Sequence, residues 1–243
     1  MPQKPPRRTR ERILATSLAL FNGAGAPNVT TADIADEMNI SPGNLYYHFR
    51  NKDEIIGELF GHFDDAVGPL LGGPSPSAAD VEDLWLFVHV LFERMWEYRF
   101  FFRDLDEITS RDAKLAARFA ALIGREQSAV IELCRGLRAA EALIATDDEI
   151  EAVAMNAVML TTYWMSFQRL SGNIGGMQSI PRAAAIRNVV AQPASQIRHG
   201  SVAPDMHFER GVSQVLALLV PYLHGVHRVL AERLRAPYLE HVG

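Results

Sequence analysis

The chain has 243 residues, of which 48% are hydrophobic and 22% are charged. This is the composition of a globular protein with a large buried core, and it excludes a wholly disordered chain. Cys134 is the single cysteine, which excludes an internal disulfide and is typical of a protein kept in the reducing cytoplasm. The Pro- and Arg-rich start has no apolar run, so we expect no secretory signal. The longest uncharged stretches, residues 152–168 and 211–227, contain polar residues or proline and predict buried helices rather than membrane spans.

The charge of the chain is unevenly distributed. The formal net charge is −5, but residues 1–52 sum to +3 and the remaining residues sum to −8. A small basic N-terminal part on an acidic remainder indicates that only the N-terminal part meets a polyanion.

Apolar residues at helical spacing predict a head of short helices in residues 1–67. A first helix ends before the Gly- and Pro-containing residues 23–27, a short helix follows over 32–38, and a third helix is succeeded by a longer one that runs to Val67. Pro42 stands at the first position of the third helix, where its missing N–H costs nothing. The candidate N-caps are Thr9, Thr30 or Thr31, and Ser41.

The remainder of the chain is predicted to form a helical body. Residues 68–79 are rich in Gly and Pro and are interpreted as a linker. Among the body helices, one covers 147 to about 170 and begins with a Thr146–Glu149 capping box, and the last covers about 205–233 with a kink at Pro221.

Residues 171–204 differ from the rest of the body. They contain several Gly and Pro residues and no sustained hydrophobic period. Loops of this length are uncommon, so the segment is interpreted as a lid over a binding site or, alternatively, as a passive insertion.

The second and third helices of the head, joined by a tight turn, have the form of a helix-turn-helix. The sequence reads VTTADIA from Val29 to Ala35 and ISPGNLYYHFRNK from Ile40 to Lys52. This stretch, and above all the string LYYHF followed three residues later by Lys, resembles the DNA-binding head of the tetracycline-repressor (TetR) family of bacterial regulators. The resemblance is sharp over residues 9–65, and beyond them it is one of architecture.

One departure from the family pattern concerns the turn itself. The family usually has Ala-Gly where this chain has Met38-Asn39. Because Asn tolerates the left-handed backbone conformation, we expect the turn to form.

The third helix carries the residues expected to read DNA. The N-terminal turn of a recognition helix approaches base edges, where Gly permits close approach, Asn pairs with adenine and Tyr packs on a thymine methyl group. The candidate base contacts are Pro42, Gly43, Asn44 and Tyr46. The candidate donors to phosphate are Thr31, Tyr47, His48 and Lys52. The resemblance implies the same roles.

Other residues of the head have structural interpretations. Leu45 and Phe49 lie four apart on one helix face and are predicted to be core. For Tyr46 or Tyr47, a position partly in the core is the alternative to a DNA contact. The basic residues Lys4, Arg7 and Arg8 predict either a flexible arm along the DNA or a disordered tail.

The body is rich in aromatic and Met residues with a few polar residues between them. This pattern indicates plain core or, alternatively, an apolar ligand cavity, and the family resemblance implies such a cavity. The candidate lining residues are Phe92, Trp96, Met159, Tyr163 and Trp164.

Since one recognition helix contacts few bases, we expect a homodimer on a palindromic double-stranded operator. The expected dimer face is the helix pair 147–170 and 205–233, which is the pair that the resemblance implies.

Three other functions are less consistent with the sequence. A metal site of His224, His227 and His241 lacks a cysteine or carboxylate at ligand spacing, so we expect neither metal nor cofactor. An enzyme would need a nucleophile–base pattern, which we do not find, and a helical scaffold for protein partners would not need the basic head.

The sequence thus predicts an all-α fold, with a three-helix helix-turn-helix head over 1–67 and a ligand-binding and dimerisation bundle over 68–243. The predicted function is that of a cytoplasmic repressor released from DNA by a small apolar effector.

Overall fold

A computed structural model describes residues 6–72, 79–174 and 208–238. In these ranges the chain is helical and contains no strand, which confirms the predicted all-α class. The described α-helices are α1 (Pro6–Ala24), α2 (Thr31–Glu37), α3 (Pro42–His48), α4 (Lys52–Leu71), α5 (Val81–Glu97), α6 (Phe100–Arg103), α7 (Leu105–Arg111), α8 (Ala113–Ala139), α9 (Asp147–Ile174), α10 (Phe208–Leu219) and α11 (Gly225–Arg235).

Side-chain caps start several of these helices where the sequence predicts them. Thr30 forms a capping box with Asp33 ahead of α2, and Ser41 Oγ accepts a hydrogen bond from a backbone N–H in the first turn of α3. Thr146 and Glu149 form the predicted box ahead of α9, with the Thr146 N–H donating to Glu149 Oε2 at 2.7 Å. The expected cap at Thr9 is wrong, because α1 already begins at Pro6, a residue suited to a first helical turn.

The turn between α2 and α3 forms as expected. Asn39 adopts the left-handed conformation, with φ of 53°. Its N–H donates to Asp36 O, and the N–H of Ile40 donates to Ala35 O, both at 3.0 Å. These bonds satisfy carbonyls at the end of α2, so the turn holds α3 at a fixed angle to it.

The C-terminal part of the chain corrects one predicted element. The expected single helix kinked at Pro221 is two helices, because α10 ends at Leu219 and a 3-10 turn, Val220–Tyr222, precedes α11. Proline lacks an N–H and cannot continue the helical ladder. The chain is extended at Leu223, which forms an isolated bridge with Leu143.

Two predicted segment boundaries also shift. α4 continues through residue 67 to Leu71, with Pro69 in its last turn, so the predicted linker begins inside a helix. α4 packs on α1 and also on α5 and α8, so it belongs to the head and the body alike. Of the predicted loop 171–204, residues 171–174 extend α9 and the remainder lies outside the described residues.

A carboxyl group is buried between α8 and α9. Glu126 is 5% exposed, and its Oε1 accepts a hydrogen bond from Thr161 Oγ1 at 2.6 Å. Burial raises the pKa of Glu126 to about 7, although the hydrogen bond from Thr161 acts in the opposite direction. At mildly acidic pH, the Glu126 carboxyl that accepts the hydrogen bond from Thr161 is therefore mostly protonated.

Glu126→Gln is expected to remove a pH dependence of stability. Because its pKa is raised in the folded chain, the folded state holds the proton more tightly than the unfolded state. The stability contributed by this group is full below its ordinary pKa of 4.5 and is lost as the pH rises through about 7. From pH 5 to 8, the free energy of unfolding of the native chain should fall by roughly 2–3 kcal/mol relative to that of Glu126→Gln. Urea unfolding at matched pH measures this difference, and parallel pH profiles would contradict it.

Candidate nucleic-acid interface

α3 turns its apolar residues inward and its N-terminal turn outward. Leu45 and Phe49 are fully buried, which confirms their prediction as core. The alternative that Tyr46 or Tyr47 is core is wrong, since these side chains are 52% and 78% exposed. The exposed residues of α3 are Pro42, Gly43, Asn44, Tyr46 and Tyr47.

Polar side chains of α2 and α3 meet at this surface. Thr31 Oγ1 and the Tyr46 hydroxyl lie 3.1 Å apart, so the start of α2 and the middle of α3 share a hydrogen bond. His48 is half-buried and packs edge-on against the ring of Tyr47, with 5.1 Å between the ring centroids. The structure thus brings the predicted base and phosphate contacts of α2 and α3 onto one face.

Lys52 occupies a different place from the one predicted. Its ammonium donates to Ala26 O at 2.8 Å and to Val29 O at 3.0 Å, and the residue is half-buried at the start of α4. Two of its three N–H donors therefore bind the loop before α2 rather than facing solvent. Lys52 ties this loop to α4, a structural role that the sequence analysis did not predict.

The basic start of the chain is helical where it is described. Arg7 and Arg8 lie in α1 rather than in a flexible arm, and Lys4 lies outside the described residues. Further along α1, Arg10 forms an ion pair with Glu58 of α4, and its guanidinium lies 4.4 Å from the ring centroid of Phe49.

Polar contacts join the end of α1 to the body. The Arg103 guanidinium donates to Phe21 O at 2.6 Å and to Asn22 O at 3.0 Å, which satisfies carbonyls in the last turn of α1. Asp104, 8% exposed, accepts the N–H of Ala26 at 2.9 Å and forms an ion pair with Arg103. We call this set of contacts the Arg103–Asp104 junction.

Two further contacts extend the junction. The Asn22 side chain donates to Glu97 O at 2.8 Å and accepts the N–H of Phe100 at 3.1 Å, which fixes α1 against the connection from α5 to α6. On the other side, Ser166 Oγ of α9 donates to Phe102 O at 2.9 Å. Hydrogen bonds thus connect α9 to α6, and α6 with its flanking residues to α1.

A cluster of phenylalanine rings fills the space beneath these polar contacts. Its rings come from α1, α4, α6 and α8, and the shortest distance between rings of the head and the body is 4.5 Å, from Phe60 to Phe119. Seven side chains, all buried, form this phenylalanine cluster: Phe21, Phe60, Phe63, Phe100, Phe101, Phe102 and Phe119.

The residues predicted to line an effector pocket are not gathered in one place. Phe92 is fully buried, and a Cβ at Gly211 would lie 2.4 Å from its ring and 2.8 Å from Trp164 Nε1. α10 thus approaches these two rings closely, which only Gly permits. Trp96 is half-buried, and the guanidinium of Arg99 lies over its ring, 5.0 Å from the ring centroid.

Met159 and Tyr163 lie on the outward face of α9. They are 57% and 50% exposed, while the core-facing side of the same helix carries Thr161, Thr162 and Met165. They belong to an exposed apolar stripe that recurs about every four residues, which is a signal readable in the sequence. The α9 stripe consists of Met155, Met159, Tyr163, Phe167 and Leu170.

From the sequence we expect neither a metal site nor a membrane-spanning helix. Within the described ranges, which include His224 and His227, no group of three His, Cys, Asp or Glu side chains is placed to hold a metal ion. His241 lies outside these ranges. None of the described helices combines the length and apolar character needed to cross a membrane.

Comparison with protein families gives two matches that together cover most of the chain. Residues 13–59 match the model for bacterial regulatory proteins of the tetR family, and residues 62–229 match the model described as a bacterial transcriptional repressor. The crystal structure of a TetR-family transcriptional regulator from Marinobacter aquaeolei VT8 is similar, with a TM-score of 0.74 and 32% sequence identity. This similarity covers 95% of this chain and 98% of that one.

Similarity to curated relatives extends over only part of each relative's length. The HTH-type transcriptional repressor KstR2 of Mycolicibacterium smegmatis is 34% identical over 64 residues, which are 26% of this chain and 31% of the relative. The regulator TtgR of Pseudomonas putida is 26% identical over 133 residues, 53% of this chain and 62% of the relative. Curated repressors from Escherichia coli are matched over about a quarter of their length.

Proposed function

The chain belongs to the TetR family of bacterial transcriptional regulators, and we propose that it is a repressor that binds a palindromic operator as a homodimer until a small effector releases it. The observation that carries this proposal is the geometry of α3. Its N-terminal turn is exposed, while Leu45 and Phe49 anchor the same helix in the core. A recognition helix needs this combination of a rigid support and an accessible first turn.

The proposed base contacts follow from the residue types of that turn. Asn44 has an exposed amide that suits the two hydrogen-bonding edges of adenine, and Gly43 adds no side chain that would hold the helix away. Tyr46 lies one turn of helix from Pro42 and is held by Thr31. These four α3 residues, Pro42, Gly43, Asn44 and Tyr46, are proposed to read the operator.

The proposed phosphate contacts flank this surface. Thr31 lies at the start of α2, where helix N–H groups favour an anion, and Tyr47 and His48 follow the reading residues on α3. The ammonium of Lys52 is committed to loop carbonyls, so its proposed part in binding is to hold the loop and α4 in position.

The α9 stripe supports the proposed homodimer. Five large apolar side chains, each at least half exposed in the single chain, form one continuous face of a 28-residue helix. Exposed apolar patches of this kind mark protein–protein interfaces. α11 adds Val226 and Val229, which are 77% and 66% exposed. We assign this face to contact with a second copy, because two heads related by two-fold symmetry are needed for a palindrome.

The proposed effector acts from the body. A ligand shifts operator binding only if it favours one conformation of the body over another. The hydrogen bond between Ser166 and Phe102 O, followed by the Arg103–Asp104 junction, offers a continuous route from α9 to the head. Of the predicted lining residues, the proposal retains Phe92, Trp96 and Trp164, and assigns Met159 and Tyr163 to the dimer face.

Asn44→Ala is expected to relax sequence preference at one symmetric pair of operator positions. The loss should be about 1–3 kcal/mol per contact, because a paired amide is removed at a base edge. The measurement is a titration of operator variants, with the operator first selected by the native chain from a pool of random duplexes. Tyr47→Phe serves as the comparison and should weaken binding to all variants alike. If Asn44→Ala also weakens every variant equally, Asn44 does not read a base.

Met159→Glu is expected to separate the dimer. A charge placed at the centre of an apolar interface loses its hydration without gaining a partner, so the dimer dissociation constant should rise by roughly 100-fold or more. Sedimentation equilibrium measures this, and operator affinity should fall with it. Leu86→Glu is the matched control, since Leu86 is 50% exposed on α5, outside the stripe. A Met159→Glu chain as dimeric as Leu86→Glu would contradict the assignment of the α9 stripe.

A further inference from the structure

Arg99, in the connection between α5 and α6, is a half-buried cation without an acidic partner in the described chain. Its guanidinium donates to Trp96 O at 3.3 Å and lies 5.0 Å from the centroid of the Trp96 ring. In the described ranges, no carboxylate lies within ion-pair distance of it. A guanidinium has five N–H donors, so most of its hydrogen-bonding capacity is not met by these contacts.

The nearest carboxylates in sequence are engaged elsewhere. Glu97 pairs with Arg94, with 3.3 Å between Glu97 Oε2 and Arg94 Nη1. Asp104 accepts the N–H of Ala26 and pairs with Arg103. A rotation of either carboxylate toward Arg99 would break one of these contacts.

The surroundings of Arg99 are electrostatically unfavourable for a cation. Burial, and then the positive charge of Arg103, lower the pKa of Arg99 to about 10. The guanidinium is still charged at neutral pH, so its charge is destabilised both by lost hydration and by repulsion from Arg103. A bound anion would relieve both, because it replaces lost hydration and offsets the charge of Arg103.

We propose that Arg99 and the Trp96 ring that supports it form the anchor for an effector that carries a carboxylate on an apolar body. A carboxylate matches the planar fork of the guanidinium in a bidentate pair. The apolar body is proposed because the anchor sits on an indole ring, on the helix that also carries the buried Phe92. This inference rests on the proposed function and specifies the chemical class of its effector.

The position of Arg99 connects the anchor to the head. Arg103 lies one helical turn further along and interacts electrostatically with Arg99. The same Arg103 donates to the last carbonyls of α1. An anion at Arg99 would also attract the guanidinium of Arg103 and compete with the carbonyls of α1 for it, which links the anchor to the position of the head.

The test uses two pairs of probes that differ only in the anionic group. Decanoate is compared with 1-decanol, and 2-naphthoate with 2-naphthalenemethanol, by calorimetric titration of the full chain at pH 7.5. In at least one pair, the carboxylate should bind about 10- to 100-fold more tightly than the alcohol, the range that one charged hydrogen-bonded pair contributes. Arg99→Gln should remove this preference, and Arg99→Lys should retain part of it.

Arg135→Gln is the matched control, because Arg135 is an exposed arginine on α8 that pairs with Glu132 at 2.9 Å, so its replacement frees no carboxylate near Arg99 in the sequence. It should keep the full preference for the carboxylate. The proposal is overturned if no carboxylate binds, if the carboxylate and alcohol of both pairs bind equally, or if the preference persists in Arg99→Gln. Operator binding by the native chain without probe is measured separately. If the operator is bound but the carboxylate preference is absent, only the anchor fails, whereas a chain that binds no operator removes the proposed function itself.

Discussion

The contact on which the rest of the structure depends is the packing of the phenylalanine cluster between head and body. Phe60 on α4 lies 4.5 Å from Phe119 on α8 and 5.5 Å from Phe101 on α6, measured between ring centroids. Truncation of a large core aromatic residue costs about 3–5 kcal/mol, a large part of the stability of an ordinary domain. The head therefore shares its core with the body, and its orientation follows the positions of α4 and α6.

The Arg103–Asp104 junction gives this shared core a defined geometry. Aromatic rings tolerate small sliding movements, whereas hydrogen bonds to the last carbonyls of α1 and to the N–H of Ala26 fix direction and distance. α9 contacts the same region and also presents the apolar stripe proposed to meet a second copy. In the proposed dimer, one helix would thus contact both the second copy and the region that holds the head, and Arg99 precedes Arg103 of that region by one helical turn.

The head could be predicted from sequence because its signals are local. Thr30 and Ser41 cap the helices that follow them directly, and Asn39 itself adopts the left-handed conformation that the turn requires. The partners of Lys52 and Asp104 could not be predicted, because they lie 23 to 26 and 78 residues away along the chain. Met159 and Phe92 were predicted to line one pocket because both are apolar. Residue type alone does not show which face of α9 meets the core, and Met159 lies on the outward face. Glu126 was missed, but it interrupts the apolar stripe of α8 at helical spacing, and this signal could have revealed it.

Native-state hydrogen exchange tests the shared core most directly. We compare opening free energies of backbone amides in α1 and α4 with those in α6 and α8, in the native chain and in Phe101→Ala. If head and body share one core, the most protected amides of all four helices should open with similar free energies. In Phe101→Ala all of them should fall together, by about 3–5 kcal/mol. Amides of α1 and α4 that keep their protection while those of α6 and α8 lose it would contradict the account, because the head would then be stable independently of the body.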